Sequence, residues 1–387
     1  MGETTLRTGC SATIDHSQLQ SRDKEEAMAP EGMKGKVQTV LGPIDASELG
    51  VTLPHEHCLF DLSMWFAEPK RSSERFRAYQ PVTIENLGWV RYHPYNSRDN
   101  WVMLDEDVAI NELLRLKKFG AMSLVDMSNY GLGRDPEALA RISRATGLNI
   151  IMGSGYYLEP MWPEGITEDK MVEDIVRDIT KGADETRVRS GLIGEIGTER
   201  FGPDQPMSDG YYMSLRATAR AQQMTGAPVN IHPGHSPDSP LEIIEYMDKQ
   251  GADVSRVAIS HVDRTIFIHD MRVELAKTGC YLEYDLFGFE GWHQCRHVLS
   301  EENPVNVEVA NDAGRVAEIV QLVDAGFINQ ILISHDHCSK HRLFKWGGPG
   351  YAHILENIVP LLLDRGLTQE QVDTIIIENP RRFLQFV

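Results

Sequence analysis

Short apolar runs alternate with stretches of helical periodicity along most of this sequence, and this repeat constrains the fold more than any other feature. Eight runs of strand type follow one another from Gly50 onward. Helices between consecutive strands are typical of a parallel sheet, because a parallel pairing needs a long crossover connection. Eight such units are the number that closes a parallel barrel. The predicted strands are Gly50–His57, Ser123–Met127, Asn149–Gly153, Gly191–Ile196, Val229–His232, Val257–His261, Tyr281–Tyr284 and Ile331–Ser334.

Residues 60–104 form a polar, aromatic insertion after the first of these runs, and a further strand-like run, Lys36–Leu41, precedes it. Elsewhere, apolar residues recur at the spacing of one helix face. The predicted helices are Glu106–Phe119, Pro136–Thr146, Asp169–Lys181, Tyr211–Thr225, Pro240–Gln250, His269–Lys277, Gly314–Ala325 and Ala352–Arg365.

Potential metal ligands stand at the carboxyl ends of five of the apolar runs. His55 and His57 end the first run, and both should face one side of the strand while Glu56 points away, because successive side chains alternate. Two imidazoles on one face can bind one divalent metal ion. The other candidates, at the ends of the fourth, fifth, sixth and eighth runs, are Glu195, His232, His261 and Asp336.

The distribution of these residues decides between two parallel architectures. An open doubly wound sheet is the alternative to a barrel, and it gathers its ligands at one switch point. Ligands on strands 1, 4, 5, 6 and 8 come together only in a closed barrel. We therefore predict an α/β protein with one (β/α)8 TIM barrel over residues 35–387. Residues 1–34, rich in Ser, Thr, Glu and Lys, are expected to be a disordered polar leader.

Four imidazoles and two carboxylates exceed the three protein ligands that are usual for one catalytic zinc ion. The set suits two divalent metal ions per chain, roughly 3.5–4 Å apart, and zinc is the expected metal. In the most economical partition, His55, His57 and Asp336 bind one ion, His232 and His261 bind the other, and Glu195 bridges them. The expected nucleophile is a hydroxide that bridges the two metals.

Asp336 is the expected catalytic acid–base residue. Its carboxylate can accept the proton of the nucleophile and pass it to a leaving nitrogen or oxygen. The flanking His335 and His337 should face away from the ligands, because side chains alternate. His235 and Asp263 are candidates either for orienting the ligands or for ordinary surface roles.

Charge and cysteine content exclude several classes of partner. Lys and Arg number 38 and Asp and Glu 57, which gives a formal charge of −19. Such a surface repels nucleic acid and anionic lipid, so we expect neither a nucleic-acid nor a membrane partner. The five cysteines are irregularly spaced, which favours reduced thiols and a cytoplasmic protein. No apolar run approaches the length of a membrane span. A homodimer is left open.

Several longer motifs carry a resemblance to a known family. The chain resembles the phosphotriesterase-related branch of the phosphotriesterase family, within the amidohydrolase superfamily, whose members hold binuclear metal sites in (β/α)8 barrels. The resemblance runs from Gly35 to Val387, and the ligands that it implies are the six residues found above. The motifs that carry it are Gly35–Gly42, Pro54-His55-Glu56-His57, Gly194–Gly197, Ile231–Gly234, Ser260–Thr265, Cys280–Gly288, Gly347–Tyr351 and Ile377–Pro380.

Two departures from the bacterial organophosphate hydrolases bear on the substrate. Glu195 stands where those enzymes carry a carbamylated lysine. Arg264 and Leu286 stand where they carry a second Asp and a His that relay protons. The resemblance instead implies hydrolysis of small N-acyl amino or sulfonic acids, with N-acetyltaurine as the attributed substrate and a place in taurine metabolism. A lactonase, esterase or phosphotriesterase that uses the same metal pair is the alternative, and a non-enzymatic metal-binding scaffold is the third.

Residues outside the ligand set are predicted to bind the substrate. Arg264, three residues past His261, can bind a carboxylate or sulfonate through paired hydrogen bonds, so a small anionic N-acyl substrate is expected. The alternative for Arg264 is a salt bridge to a neighbour such as Asp285. Tyr156, Tyr157 and Trp65 are predicted to wall the acyl pocket, with simple packing as the alternative.

Overall fold

The structure is a computed structural model that describes residues 32–200, 205–295 and 305–387. Its strands, numbered in chain order, are β1 (Lys36–Thr39), β2 (Gly42–Asp45), β3 (Thr52–Glu56), β4 (Phe60–Asp61), β5 (Val102–Met103), β6 (Ser123–Asp126), β7 (Asn149–Met152), β8 (Ile193–Gly197), β9 (Val229–His232), β10 (Val257–Ile259), β11 (Tyr281–Tyr284), β12 (Gly291–Cys295), β13 (Val305–Val309) and β14 (Ile331–Ile333).

Its α-helices are α1 (Ser72–Ala78), α2 (Leu87–Tyr92), α3 (Glu106–Lys118), α4 (Pro136–Thr146), α5 (Glu168–Thr180), α6 (Asp209–Thr225), α7 (Ser239–Lys249), α8 (Val262–Thr265), α9 (His269–Lys277), α10 (Asp312–Asp324), α11 (Val359–Asp364), α12 (Gln369–Asp373) and α13 (Asn379–Leu384).

Eight parallel strands form a closed barrel at the centre of the protein. Parallel pairing runs through β14-β11-β10-β9-β8 and through β3-β6-β7. One seam is closed between β14 and β3, where Asp336 N donates to His55 O at 3.1 Å. The other lies between β7 and β8, where Gly191 N donates to Met152 O at 2.9 Å. The predicted (β/α)8 barrel is therefore confirmed, and the open doubly wound alternative is wrong.

Alternation along the strands separates two apolar layers. Leu124 belongs to a large cluster that also contains helix residues such as Leu113 and Ile142, so it faces the surrounding helices. Val125, the next residue, belongs to a second cluster with residues from other barrel strands and with Phe383 of α13. The barrel interior is thus packed with side chains, and the chemistry is confined to the carboxyl ends of the strands.

The helix boundaries follow from local chemistry. Asp135, Thr167 and Ser208 accept hydrogen bonds from the first free N–H groups of α4, α5 and α6. Gly147 and Gly226 end α4 and α6 in the left-handed conformation that glycine adopts without strain. Most of the predicted helices agree with the structure to within two residues at each end.

The last predicted helix, over 352–365, is divided in two. Residues Ile354–Ile358 form a π-helical turn and α11 follows, with Pro360 in its first turn. A second π-helical turn, Thr374–Glu378, precedes Pro380 of α13 in the same way. Proline has no N–H and its ring clashes with the carbonyl four residues earlier, so a regular α-turn cannot run through either position.

Two features around the barrel supplement the predicted pattern. The insertion contains α1 and α2 and a short antiparallel pairing of Phe60 with Met103. An unpredicted hairpin pairs β12 with β13 between β11 and α10.

Most of the predicted leader, residues 1–31, lies outside the residues that the structure describes. Just after it, Met33 is buried and Gly35 N donates to Phe386 O. Among the described helices, none combines the length and apolarity needed to cross a membrane.

Candidate metal centre and substrate pocket

The six predicted ligands converge at the carboxyl end of the barrel. His55 lies within β3, His57 directly follows it, Glu195 lies within β8, and His232 is the last residue of β9. The side chains of His261, beyond β10, and Asp336, beyond β14, complete the cluster. Five of the six are buried, and 13% of the Asp336 side chain is exposed. Residues up to 281 positions apart in the chain are thereby brought together, since parallel strands end at one rim.

His55, His57 and Asp336 form the first group. Asp336 Oδ1 lies 3.2 Å from His57 Nε2 and 3.9 Å from His55 Nε2. All three ligand atoms lie within 4.8 Å of one another. The other nitrogen of His57, Nδ1, is 3.0 Å from the hydroxyl of Ser128. That contact leaves Nε2 of His57 facing the group.

Glu195, His232 and His261 form the second group. Glu195 Oε1 lies 2.7 Å from His232 Nδ1 and 2.9 Å from His261 Nε2. The two imidazole nitrogens are themselves 2.9 Å apart. His55 Nε2 is 3.8 Å from the same Glu195 oxygen, so Glu195 lies between the two groups.

The surroundings of His55 show whether this group of side chains suits a divalent metal ion, and they do. Its Nδ1 lies 3.0 Å from Glu283 Oε2 and 3.2 Å from Asp285 Oδ2, so the ring proton belongs on Nδ1. Nε2 is then a bare acceptor, and within the described part of the chain it is buried without a hydrogen-bond partner. It faces two carboxylate oxygens, which are acceptors as well. Acceptors that surround a common space without donors are the arrangement that a metal cation requires.

Asp285 was not among the predicted site residues, although it contacts two of the predicted ligands. Its Oδ1 lies 2.7 Å from His261 Nδ1, and its Oδ2 contacts His55. Burial lowers the pKa of His261, but the negative charge of Asp285 together with the hydrogen bonds to Asp285 and Glu195 outweighs this effect and raises that pKa to about 9. Burial lowers the pKa of His232 to about 4, although the Glu195 carboxylate beside its Nδ1 opposes this shift. Histidines that bind a metal commonly donate their second N–H to a carboxylate. The acidic pair Glu283 and Asp285 at the end of β11 was the sequence feature that could have indicated such a carboxylate.

Two of the predicted ligands occupy unusual backbone conformations. His261 has φ of +53° and Asp336 has φ of +50°, both in the left-handed region. Residues other than glycine enter this region at a cost, and they persist there when surrounding contacts hold them. Both residues lie just beyond a strand, where the left-handed turn redirects the side chain over the rim of the barrel.

A pocket opens at the cluster of predicted ligands, and its lining combines charged, polar and apolar side chains. Arg264 belongs to this lining, and its Nη2 lies 3.1 Å from His232 Nε2 and 3.4 Å from Pro233 O. Asp285, the predicted alternative partner of Arg264, instead contacts the histidines. The lining also includes apolar and aromatic residues, most of them from the insertion: Leu62, Trp65, Tyr95, Trp101 and Leu132.

The predicted pocket residues divide into two sets. Trp65 and Tyr157 line this pocket, and the Tyr157 hydroxyl lies 3.4 Å from His232 Nδ1. The structure does not bring Tyr156 to the pocket. Its hydroxyl donates to Asp174 of α5 at 2.7 Å, and its ring packs with Met171 and Val172 of the same helix. Adjacent residues in an extended segment face opposite ways, so only one of the two tyrosines can face the ligands.

Four further residues named from the sequence have different surroundings. His335 and His337 are buried away from the ligands, and His335 Nδ1 contacts Glu56. Asp263 is buried as well and pairs with Arg315 at 2.6 Å, so the surface alternative for Asp263 is wrong. His235 lines the pocket and contacts Glu199 at 3.2 Å.

A closed (β/α)8 barrel that gathers four imidazoles and two carboxylates at its strand ends is the architecture of a metal-dependent hydrolase. Comparison with known proteins agrees with this class and narrows it. The sequence model of the Phosphotriesterase family matches residues 35–384. The chain belongs to the phosphotriesterase family.

Individual relatives are similar over nearly their whole length. An N-acetyltaurine hydrolase from Salmo salar is 40% identical over 358 residues, which cover 92% of this chain and 99% of that protein. The N-acetyltaurine hydrolase of Mus musculus has the same identity and the same coverage. Among solved structures, a resiniferatoxin-binding protein from Rhodobacter sphaeroides has a TM-score of 0.85 at 33% identity, covering 93% of this chain and 98% of that one.

Proposed function

We propose that this enzyme hydrolyses the amide bond of small N-acyl amino or sulfonic acids, and that N-acetyltaurine, cleaved to taurine and acetate, is its main substrate. The observation that carries the proposal is the position of Arg264, whose guanidinium lines the same pocket as Glu195 and Asp336. A carboxylate or sulfonate bound there would lie beside the ligand cluster. The names of the 40% identical relatives support the choice of substrate.

The proposed cofactor is a pair of divalent metal ions, most simply zinc. His55, His57 and Asp336 would hold one, His232 and His261 the other, with Glu195 between them. When bound, such a pair polarises a carbonyl oxygen and lowers the pKa of water.

The protein's own groups have distinct roles in the proposed reaction. Arg264 binds the acid group and orients the amide. Asp336 accepts the proton of the attacking water and delivers it to the amide nitrogen as the C–N bond breaks, so that the water oxygen ends on the acyl carbon. The apolar part of the pocket lining, with Trp65 and Leu132, receives the acyl methyl and excludes other water.

The size of the pocket also favours a small substrate. Its cavity volume is about 110 Å³. Sites for drug-sized ligands usually measure roughly 300–1,000 Å³. A cavity of this size favours a short acyl group such as acetyl over the aryl groups of typical organophosphates.

A substrate panel tests the proposal. Purified, metal-loaded enzyme is assayed on N-acetyltaurine, N-acetylglycine, a neutral lactone and paraoxon, with the chelated enzyme as control. We expect the highest kcat/KM on the anionic amides, and loss of all activity on chelation. Faster turnover of the lactone or of paraoxon than of either amide would overturn the assignment in favour of an esterase or phosphotriesterase.

A further inference from the structure

Glu56, the residue between the two histidines of the His-Glu-His motif, has no place in the proposed chemistry, yet it is completely buried. Its side chain points away from the ligands, as alternation in β3 requires. A buried carboxylate is costly unless donors surround it, so its partners indicate what it does.

The Glu56 carboxylate accepts hydrogen bonds from four groups at the end of β14. Oε1 accepts from the Ser334 hydroxyl at 2.9 Å and from His335 N at 3.1 Å, and lies 2.6 Å from His335 Nδ1. Oε2 accepts from His337 N at 3.1 Å. The two oxygens therefore bind the backbone N–H groups on both sides of Asp336.

The segment between these two N–H groups is the one that carries Asp336 in its left-handed conformation. Asp336 N donates to His55 O at 3.1 Å, which fastens the middle of the turn to β3. Arg342 donates to the carbonyls of His335 and Asp336 from the other side. The N–H groups of the turn around Asp336 are thus bound by Glu56 and β3, and two carbonyl groups of the same turn are bound by Arg342.

His335 extends the same network to the helical layer. Its Nε2 accepts a hydrogen bond from Ile354 N at 3.1 Å, so the ring proton belongs on Nδ1, where it faces Glu56. A neutral histidine with this tautomer donates to the carboxylate and accepts from the backbone. Both ring nitrogens are then satisfied without any contact with the ligand cluster.

We propose that Glu56 is a positioning residue: by binding the N–H groups of His335 and His337, it holds the strained turn that aims the Asp336 carboxylate at His57. The role rests on the proposed function of Asp336 as a ligand and acid–base group. This role also explains why an acidic residue stands between His55 and His57, the two proposed metal ligands on the opposite face of the strand.

The test is Glu56→Gln, which keeps the size of the side chain. One of its two ends becomes an NH2 donor that faces another N–H donor, so the turn loses support on one side of Asp336. The matched control is Glu112→Gln. Glu112 is buried too, and it accepts from Phe344 N at 3.0 Å and Lys345 N at 2.7 Å, later in the same connection after β14.

Three quantities are measured on the metal-loaded enzymes: thermal stability, kcat and KM on the best substrate of the wild type, and the rate of metal release to a chelating dye. Both variants should lose stability. Only Glu56→Gln should lower kcat, by about 10- to 100-fold with KM changed less than about threefold, and speed metal release by about tenfold. Equal kcat and equal metal release in the two variants would overturn the proposal.

Metal release keeps the test independent of the substrate. If the substrate panel rejects the amidase assignment, accelerated release from Glu56→Gln alone would still support the positioning role, and unchanged release would reject it. If Glu56→Gln does not accumulate as folded protein, Glu56→Asp takes its place. The shorter carboxylate keeps its charge but retracts from the two N–H groups, so the same changes in kcat and release are expected.

Discussion

Asp285 Oδ1 lies 2.7 Å from His261 Nδ1, on the side of the imidazole ring opposite to Glu195. The same carboxylate reaches His55 Nδ1 with its second oxygen, at 3.2 Å. One fully buried acid thus orients one histidine from each of the two ligand groups. Because the two rings are fixed by a common partner, the spacing between the groups is set before any metal binds.

We therefore expect Asp285→Asn to weaken metal binding. The asparagine amide has only one acceptor oxygen, so it cannot accept hydrogen bonds from both rings as the two carboxylate oxygens do, and at least one histidine loses its orientation. The expected loss of metal affinity is about 10- to 100-fold. Competition with a chelator of known affinity measures it. Asp174→Asn, which removes the carboxylate partner of Tyr156 outside the pocket, is the control and should leave metal affinity unchanged.

The proposed bridging role of Glu195 predicts the number of bound metal ions. Its Oε1 contacts both histidines of the second group and faces His55 of the first. Elemental analysis of the wild type should give about two metal ions per chain, and Glu195→Gln, which loses the bridging charge, about one. A fully active wild type with a single metal ion would remove the bridging role.

Asp336→Asn tests the proposed acid–base group. The amide keeps the shape of the side chain but cannot accept the proton of the nucleophile, so kcat should fall by at least about 10²-fold. The metal content is measured alongside, because Asp336 is also a proposed ligand. Near-normal turnover with the metals retained would assign the proton to another group.

Features of the site that follow from local sequence patterns could be predicted, whereas contacts between residues distant in sequence could not. The strand ends and the faces of His55 and His57 follow from local alternation, and the structure brings all six candidate ligands together. The contacts of Asp285 with His55 and of Glu56 with His335 join residues that are distant in sequence, and no local pattern encodes such pairs. The β12–β13 hairpin lies in a segment without the repeat on which the strand predictions depended.

Tyr156 and Tyr157 show the limit of assigning pocket residues from position alone. Both tyrosines follow β7, and both have aromatic rings that could line a substrate pocket. Yet Tyr156 bonds to Asp174 on α5, while Tyr157 faces His232. Beyond the end of a strand the phase of the alternation depends on the exact turn, so the sequence could indicate the pair but not which member faces the ligands.

Glu318 predicts a pH dependence of stability away from the active site. Burial raises its pKa to about 7, against the pull of the nearby Arg272. The folded state then binds more protons than the unfolded state between pH 4.5, its ordinary pKa, and about 7, so stability falls as the pH rises through this window. The contribution of this group is at most roughly 3 kcal/mol.

Glu318→Gln removes that titration. The melting temperature of the variant relative to the wild type should therefore be higher at pH 8 than at pH 5, whatever the constant offset between the two proteins. Glu173→Gln, at a position where 71% of the side chain is exposed, serves as the control and should show no such change. A difference that stays constant with pH would place the pKa of Glu318 near its ordinary value.

Arg264 links the structure to the proposed substrate. The guanidinium lines the pocket, and its closest side-chain contact in the described residues is a neutral histidine nitrogen, at 3.1 Å. If it binds the acid group of the substrate, Arg264→Ala should lower kcat/KM on N-acetyltaurine by roughly 30- to 1000-fold, the equivalent of about 2–4 kcal/mol for a lost charge-assisted bidentate contact. Arg264→Lys should recover only part of this, because an ammonium group cannot reproduce the planar fork.

A neutral ester provides the internal control for Arg264, because it would use the same ligand cluster without an acid group. Its turnover should change little in Arg264→Ala, and the melting temperature shows whether folding is intact. Metal content is determined as well, since Arg264 contacts His232, a proposed ligand. Equal losses on the anionic amide and the neutral ester, in folded and metal-loaded protein, would mean that Arg264 supports His232 rather than the substrate. The acid group would then need another cation, and the similarity to N-acetyltaurine hydrolases would be the main remaining support for the proposed substrate.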